Sequence, residues 1–156
     1  MCDMRYTQGQ IRGLLDIPIE TFRAWRDAVP ALAQHKGHGP TFTPGDVVAL
    51  AILTDLVRNF GTRVGTLTDR LDVLFATCHG MSWLSLEPCV VLIDQATVRL
   101  VTADDPRRLA CDHNVLVMPC SPIVERLRRQ LIATEPEDAQ GHLQFPLNSL
   151  AGGSAQ

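Results

Sequence analysis

A chain of 156 residues, 46% apolar and 20% charged, has the make-up of a globular protein, which excludes wholesale disorder. Its apolar runs fall well short of the roughly 20 residues a membrane helix needs, and Met1–Tyr6 is polar, so neither a spanning segment nor a secretion signal is expected. The net charge of −3 is unevenly placed: residues 1–86 hold eight basic and eight acidic residues, and 87–156 hold six and nine. Any affinity for nucleic acid must therefore come from local placement of cations or from dimerisation.

In chain order, Thr7-Gln8-Gly9-Gln10 has the form of a capping box, a hydroxyl followed three residues on by Gln. It opens a short helix with Ile11, Leu14 and Leu15 on one face, ending near Asp16-Ile17-Pro18. A second helix is expected from about Ile19 to Val29, with Ile19, Phe22 and Trp25 at helical spacing and Pro30 at its end. Residues 34–43 contain two Gly and one Pro and read as an exposed hairpin or loop. Thr43-Pro44-Gly45-Asp46 combines a hydroxyl cap, Pro at the first position and an acid in the first turn. The helix it starts carries Ala49, Ile52, Leu53, Leu56 and Phe60 as its expected buried face and closes at Gly61. Thr66 and Asp69 open another helix, with Leu67, Leu71, Leu74 and Phe75 on one side, ending near Cys78-His79-Gly80.

The second half changes character. Val90–Ile93 and Thr97–Val101 are β-rich runs separated by Asp94-Gln95-Ala96, which suits a hairpin, and Val115–Met118 reads as a third strand. Ser121-Pro122 starts a helix to about Ala133 with Val124, Leu127 and Leu131 apolar. From Thr134 the chain is rich in Pro, Gly and Ser and is expected to be a mobile tail.

Tyr6-Thr7-Gln8-Gly9, then Ile11, Leu14 and Ile17, then Thr21-Phe22-Arg23-Ala24-Trp25-Arg26 follow one another, and Phe42-Thr43-Pro44-Gly45-Asp46 comes after them in order. Over roughly residues 5–77 this pattern resembles the DNA-binding domain of the MerR family of transcription regulators. The resemblance implies a winged helix-turn-helix whose second helix enters the major groove of double-stranded DNA, in a homodimer. It implies that Arg23 contacts a phosphate, that Thr21, Arg26 and the neighbouring Glu20 lie at the DNA surface, that Tyr6 or Thr7 touches backbone phosphate, and that His35, Lys36 and His38 form the wing. The residue types agree with that role: polar and basic side chains on one side, Phe22 and Trp25 to anchor the other. In place of the long dimerising helix common in the family, this chain offers strands.

Cys78-His79 and Cys111-Asp112-His113 combine thiolate and imidazole donors, but no Cys-x-x-Cys pair exists, and small buried thiols beside loop histidines account for both; no metal site is assigned. Cys111 with His113 is the nearest approach to a catalytic pair, and no phosphate-binding glycine loop occurs, so neither an enzyme nor a cofactor is expected. Arg126, Arg128 and Arg129 read either as a second phosphate patch or as cations favoured near a helix C-terminus. Five widely spaced cysteines suit reduced thiols in a cytoplasm of bacterial or phage type.

The expected architecture is mainly α with a small β part. A winged helix-turn-helix at 5–77 precedes a β-hairpin/strand plus helix module at 86–133, for dimerisation or effector binding, and a tail at 134–156. The expected function is sequence-specific binding of double-stranded DNA as a homodimeric transcription regulator. The alternatives are a protein-interaction module or scaffold with a protein partner, and a DNA-architectural factor for excision or segregation.

Overall fold

The computed structural model describes residues 4–35, 37, 39–105 and 110–134. These form seven α-helices, one 3-10 turn and a three-stranded antiparallel sheet, a mainly helical fold with a small β part. No helix among them is long and apolar enough to cross a membrane. Of the expected tail, only Thr134 lies within the described residues.

Helix α1 (Gln8–Leu15) begins with the anticipated capping box: Gln10 N–H donates to Thr7 Oγ1 at 3.2 Å and Thr7 N–H to Gln10 Oε1 at 2.8 Å. It stops at Asp16, whose φ of 52° is left-handed, a conformation Asp tolerates better than most residues. Arg12 Nε donates to Ile17 O at 3.2 Å across the turn, and Arg58, reaching over from a later helix, donates to the carbonyls of Leu15 and Asp16. The turn is thus closed from both sides, and α2 (Ile19–Ala28) leaves it in a fixed direction.

A four-residue helix α3 (Pro30–Ala33) follows, which sequence reading does not anticipate. It forms because Asp72 accepts the Ala31 N–H at 2.8 Å, a cap supplied by a residue 41 positions away. The chain then returns to pair Phe42 with Tyr6 in an isolated antiparallel bridge, with N–H···O distances of 2.9 and 3.1 Å.

Helix α4 (Pro44–Phe60) is the centre of the molecule. Eleven of its residues are buried, among them Gly45, Asp46 and Thr54, so it is covered on nearly all sides. Thr43 caps it with Asp46 in a second capping box, and Gly61 ends it at φ 62°. Gly45 is demanded by packing: a Cβ there would sit 1.7 Å from Cys78 O. Phe60, expected on the buried face, is instead 57% exposed, because the last turn of α4, with Arg58 and Asn59, projects past the body into solvent.

Helix α5 (Thr68–Cys78) is not capped by Thr66 as expected. Thr66 belongs to the 3-10 turn Val64–Thr66, where its hydroxyl donates to Arg63 O at 2.7 Å. A short α6 (Trp83–Leu86) is capped by Ser82 and leads into the sheet.

Strands β1 (Cys89–Ile93), β2 (Val98–Thr102) and β3 (Leu116–Pro119) are ordered β2-β1-β3. Val91 pairs with Leu100 on one side and Met118 on the other. Every residue of β1 is buried because both faces of the sheet are covered. Cys89, Val91, Ile93, Val98 and Met118 join the main core, while Val90, Leu92 and Val101 pack with Cys111 and Val115 on the far side. Helix α7 (Cys120–Thr134) follows β3 directly and lies against β1, α4, α6 and α1. One continuous core therefore runs through both the 5–77 and the 86–133 segments, from Tyr6 to Leu127.

Candidate nucleic-acid interface

The heptapeptide Thr21-Phe22-Arg23-Ala24-Trp25-Arg26-Asp27 folds as helix because its apolar residues fall one turn apart. Phe22 and Trp25 are 1% and 7% exposed, and Phe22 meets Phe42 edge-on at 6.3 Å between centroids. The opposite face carries Ile19, Glu20, Arg23, Ala24 and Asp27 in solvent, flanked by half-buried Thr21 and Arg26. Arg23 donates to Glu20 at 3.0 Å; both side chains are well exposed, so the pair is weak and exchangeable.

The arginines of the chain divide by partner. Arg12, Arg58 and Arg70 donate to backbone carbonyls, and Arg99 donates to the Cys111 sulfur. Arg126 forks onto Asp55 at 2.9 and 3.1 Å, Arg128 onto Glu87 at 2.7 and 3.0 Å, and Arg129 lies 3.4 Å from Glu125. Arg126 and Arg128 are thus committed between elements, whereas Arg129 is held only by an exposed acid of its own helix, so α7 keeps one exchangeable arginine, too few for a second phosphate patch. Arg26 and Arg63 have no ion-pair partner among the described residues. Arg26 is on α2, and exposed Arg63 immediately precedes the 3-10 turn that packs against α2. Sequence reading missed Arg63: it sits in a Gly- and Thr-rich turn with no signal of its own, and only the packing of that turn brings it to α2.

Two expected DNA contacts are corrected. Tyr6 is 6% exposed: its backbone is tied to Phe42 and its ring stacks on Trp83 at 6.2 Å, so it serves the core, and burial pushes its hydroxyl above the ordinary pKa. His35 turns inward as well, with a side chain 12% exposed and its ring stacked on Phe42 at 4.0 Å. Thr7 is half-buried and its oxygen is used as the cap of α1. Lys36 and His38 lie outside the described residues. Exposed Gly37 lines an open cleft together with Arg26, Asp27, Ala33 and His35, so the loop after α3 adjoins the C-terminal end of α2.

A second cluster lies behind that loop. Asp46 is 1% exposed, and its Oδ2 accepts the Thr43 N–H at 2.8 Å. His79 Nδ1 approaches the same carboxylate at 2.9 and 3.0 Å, and His35 Nε2 is 3.8 Å from Oδ2. The Thr43 hydroxyl donates to His79 O at 2.6 Å, fixing the segment that carries this imidazole. Burial lowers the pKa of His35 despite the pull of the Asp46 carboxylate, with the nearby His79 adding to the lowering. All three residues border an open cleft of about 580 Å³ that also includes Gln34, Asp72 and Phe75.

The cysteine–histidine pairs singled out in the sequence do not assemble into sites. Cys78 is buried while its neighbour His79 is exposed; burial pushes the Cys78 and Cys120 thiols up to about 12. His113 is 3.1 Å from Asp94. Comparison with protein-family models, with curated proteins and with solved structures finds no match.

Proposed function

We propose that the chain binds double-stranded DNA in a sequence-specific manner, as a homodimeric transcription regulator, with α2 as the groove-entering helix. The observation that carries this reading is the placement of uncommitted cations. The two arginines whose side chains have neither a hydrogen bond nor an ion pair among the described residues are Arg26, on α2, and Arg63, beside it, and Arg23 on the solvent face of α2 is tied only to exposed Glu20. A phosphate can replace that carboxylate at small cost, since an exposed pair is worth about 0–1 kcal/mol. The tight turn before α2, closed by Arg12 and Arg58, and the glycine loop at its C-terminal end suit a helix-turn-helix with a wing. Three cations per chain give little affinity alone, and two copies on paired half-sites repair that.

The test is selection of bound fragments from random DNA by the purified protein, followed by affinity measurement across salt concentration. A paired half-site and salt-sensitive binding are expected. Arg23→Ala, Arg26→Ala and Arg63→Ala should each lower the salt slope by about 1 while weakening binding across sequences. Absence of salt-sensitive binding to any DNA would sink the reading.

A second reading, a protein-interaction module, is favoured by Glu20 and Asp27, which place acids among the cations on the same exposed face. Partners retained after nuclease treatment, and lost with Arg23→Glu, would select it.

A further inference from the structure

We propose that His35, Asp46 and His79 form a binding site for a divalent transition-metal ion of borderline softness, such as Zn²⁺. The three come from separate segments: the loop after α3, the first turn of α4 and the residue just past α5. One ligand atom from each lies within 4.8 Å of the others. A tetrahedral ion with bonds near 2.0–2.1 Å sets its ligand atoms about 3.3 Å apart. From the Asp46 Oδ2 shared by both histidines, the imidazole nitrogens are 3.0 Å (His79) and 3.8 Å (His35) away, which bracket that value, and the two nitrogens are within 4.8 Å of each other, so side-chain rotations close the triangle. Two imidazoles and one carboxylate suit zinc, cobalt, nickel or ferrous iron, whereas calcium and magnesium favour all-oxygen sets.

The site is built before any ion arrives. Asp46 is buried, and the Thr43 N–H holds its Oδ2 so that both carboxylate oxygens face His79 and Oδ2 also faces His35. His35 is stacked on Phe42, and the carbonyl of His79 is gripped by the Thr43 hydroxyl. Such supports hold ligands in place and are worth about 10–100-fold in metal affinity elsewhere. Coordination through His79 Nδ1 uses the neutral tautomer that carries its proton on Nε2, which leaves a lone pair on the nitrogen facing the carboxylate. A fourth position faces the cleft and is open to water or a small ligand. The inference stands independently of DNA binding.

The bland account of the same geometry is a hydrogen-bonded His79–Asp46 pair in which His35 has no part. Equilibrium dialysis of the full-length reduced chain against Co²⁺ or Zn²⁺ separates the two, with the cobalt form also read by absorption. One ion per chain is expected, with visible cobalt bands and no thiolate-to-cobalt charge transfer. His79→Ala and His35→Gln should each weaken retention roughly tenfold or more, and His113→Ala should leave it unchanged. His79 is 53% exposed and outside the apolar core, so its variant disturbs packing less and, once checked for a cooperative unfolding transition, remains decisive should His35→Gln destabilise the core. Failure to retain either ion, retention within twofold of the parent in either folded histidine variant, or a thiolate charge-transfer band would each overturn the proposal.

Discussion

Helices α2 and α7 are both amphipathic, both carry arginines on their outer sides, and use them in opposite ways. On α7, Arg126 crosses to Asp55 of α4, and Arg128 crosses to Glu87 at the end of α6. On α2, Arg23 bonds only to Glu20 of its own helix, and Arg26 pairs with nothing among the described residues. An arginine that joins two elements is part of the fold and costs stability when removed. One that is tied to its own helix can exchange its partner without disturbing the fold. Arginine count alone would have ranked α7 the better phosphate binder; partner geometry reverses the order.

The comparison presupposes that both helices rest on one α4, and Gly45→Ala attacks that premise. Its Cβ collides with the Cys78 backbone, 1.7 Å from the oxygen and 2.6 Å from the carbon, and neither atom can rotate away. A loss of about 3 kcal/mol or more is expected in chemical denaturation, with both halves unfolding together. Two separate transitions would show that the halves are independent.

Arg58→Ala should come next. It frees the Leu15 and Asp16 carbonyls, at a cost of about 1–2 kcal/mol after discounting for partial exposure. If the proposed function holds, it should also weaken DNA binding more than its lost charge explains, since this turn sets the direction of α2. Arg126→Ala should cost about 0.5–1 kcal/mol, because the Asp55 carboxylate it leaves behind is largely covered while the arginine is 41% exposed. Arg23→Ala should change stability by less than about 0.5 kcal/mol and still reduce DNA affinity. A stability loss as large as that of Arg126→Ala would erase the distinction between the two helices.

The smallest effect is acid-dependent and lies on the β side. The amide hydrogens of Ala96 and Thr97 and the His113 ring hold the Asp94 carboxyl at about 2, below the ordinary 3.8. A carboxyl lowered by folding stabilises the native state above its unfolded pKa, and that contribution disappears as pH falls through the folded value. The parent should therefore exceed Asp94→Asn in stability at pH 6 and lose the advantage toward pH 2. A difference that stays constant across this range would show that the β1–β2 turn does not depend on the charge.

The elements with local signals were legible in the sequence. Thr7 with Gln10 and Thr43 with Asp46 announce their helices because a capping box is a contact between residues three apart. The β-rich apolar runs at 90–93, 97–101 and 115–118 placed the strands to within one residue at every end. Helix α3 was not legible because its cap, Asp72, comes from another element. Phe60 was misread because periodicity reports which side of a helix a residue is on, not whether the body extends that far. The inward turn of Tyr6 and His35 was hidden for a related reason: the Tyr6–Phe42 bridge, the Trp83 stack and the pull of Asp46 are all contacts over long separations. The His35–Asp46–His79 cluster has no fixed spacing to recognise, since it exists only once α3, α4 and α5 are folded together.

The single core has a bearing on how such a gene can change. Because Ile123, Val124 and Leu127 of α7 sit in the same apolar cluster as the helices around α2, a stop codon anywhere before position 120 would strip the cover from α4. Evolution by trimming back past α7 is closed to this chain: no version that ends before that helix keeps the α2 surface covered from behind. The strand-and-helix half can be replaced only by another segment that brings an amphipathic helix back to the same place.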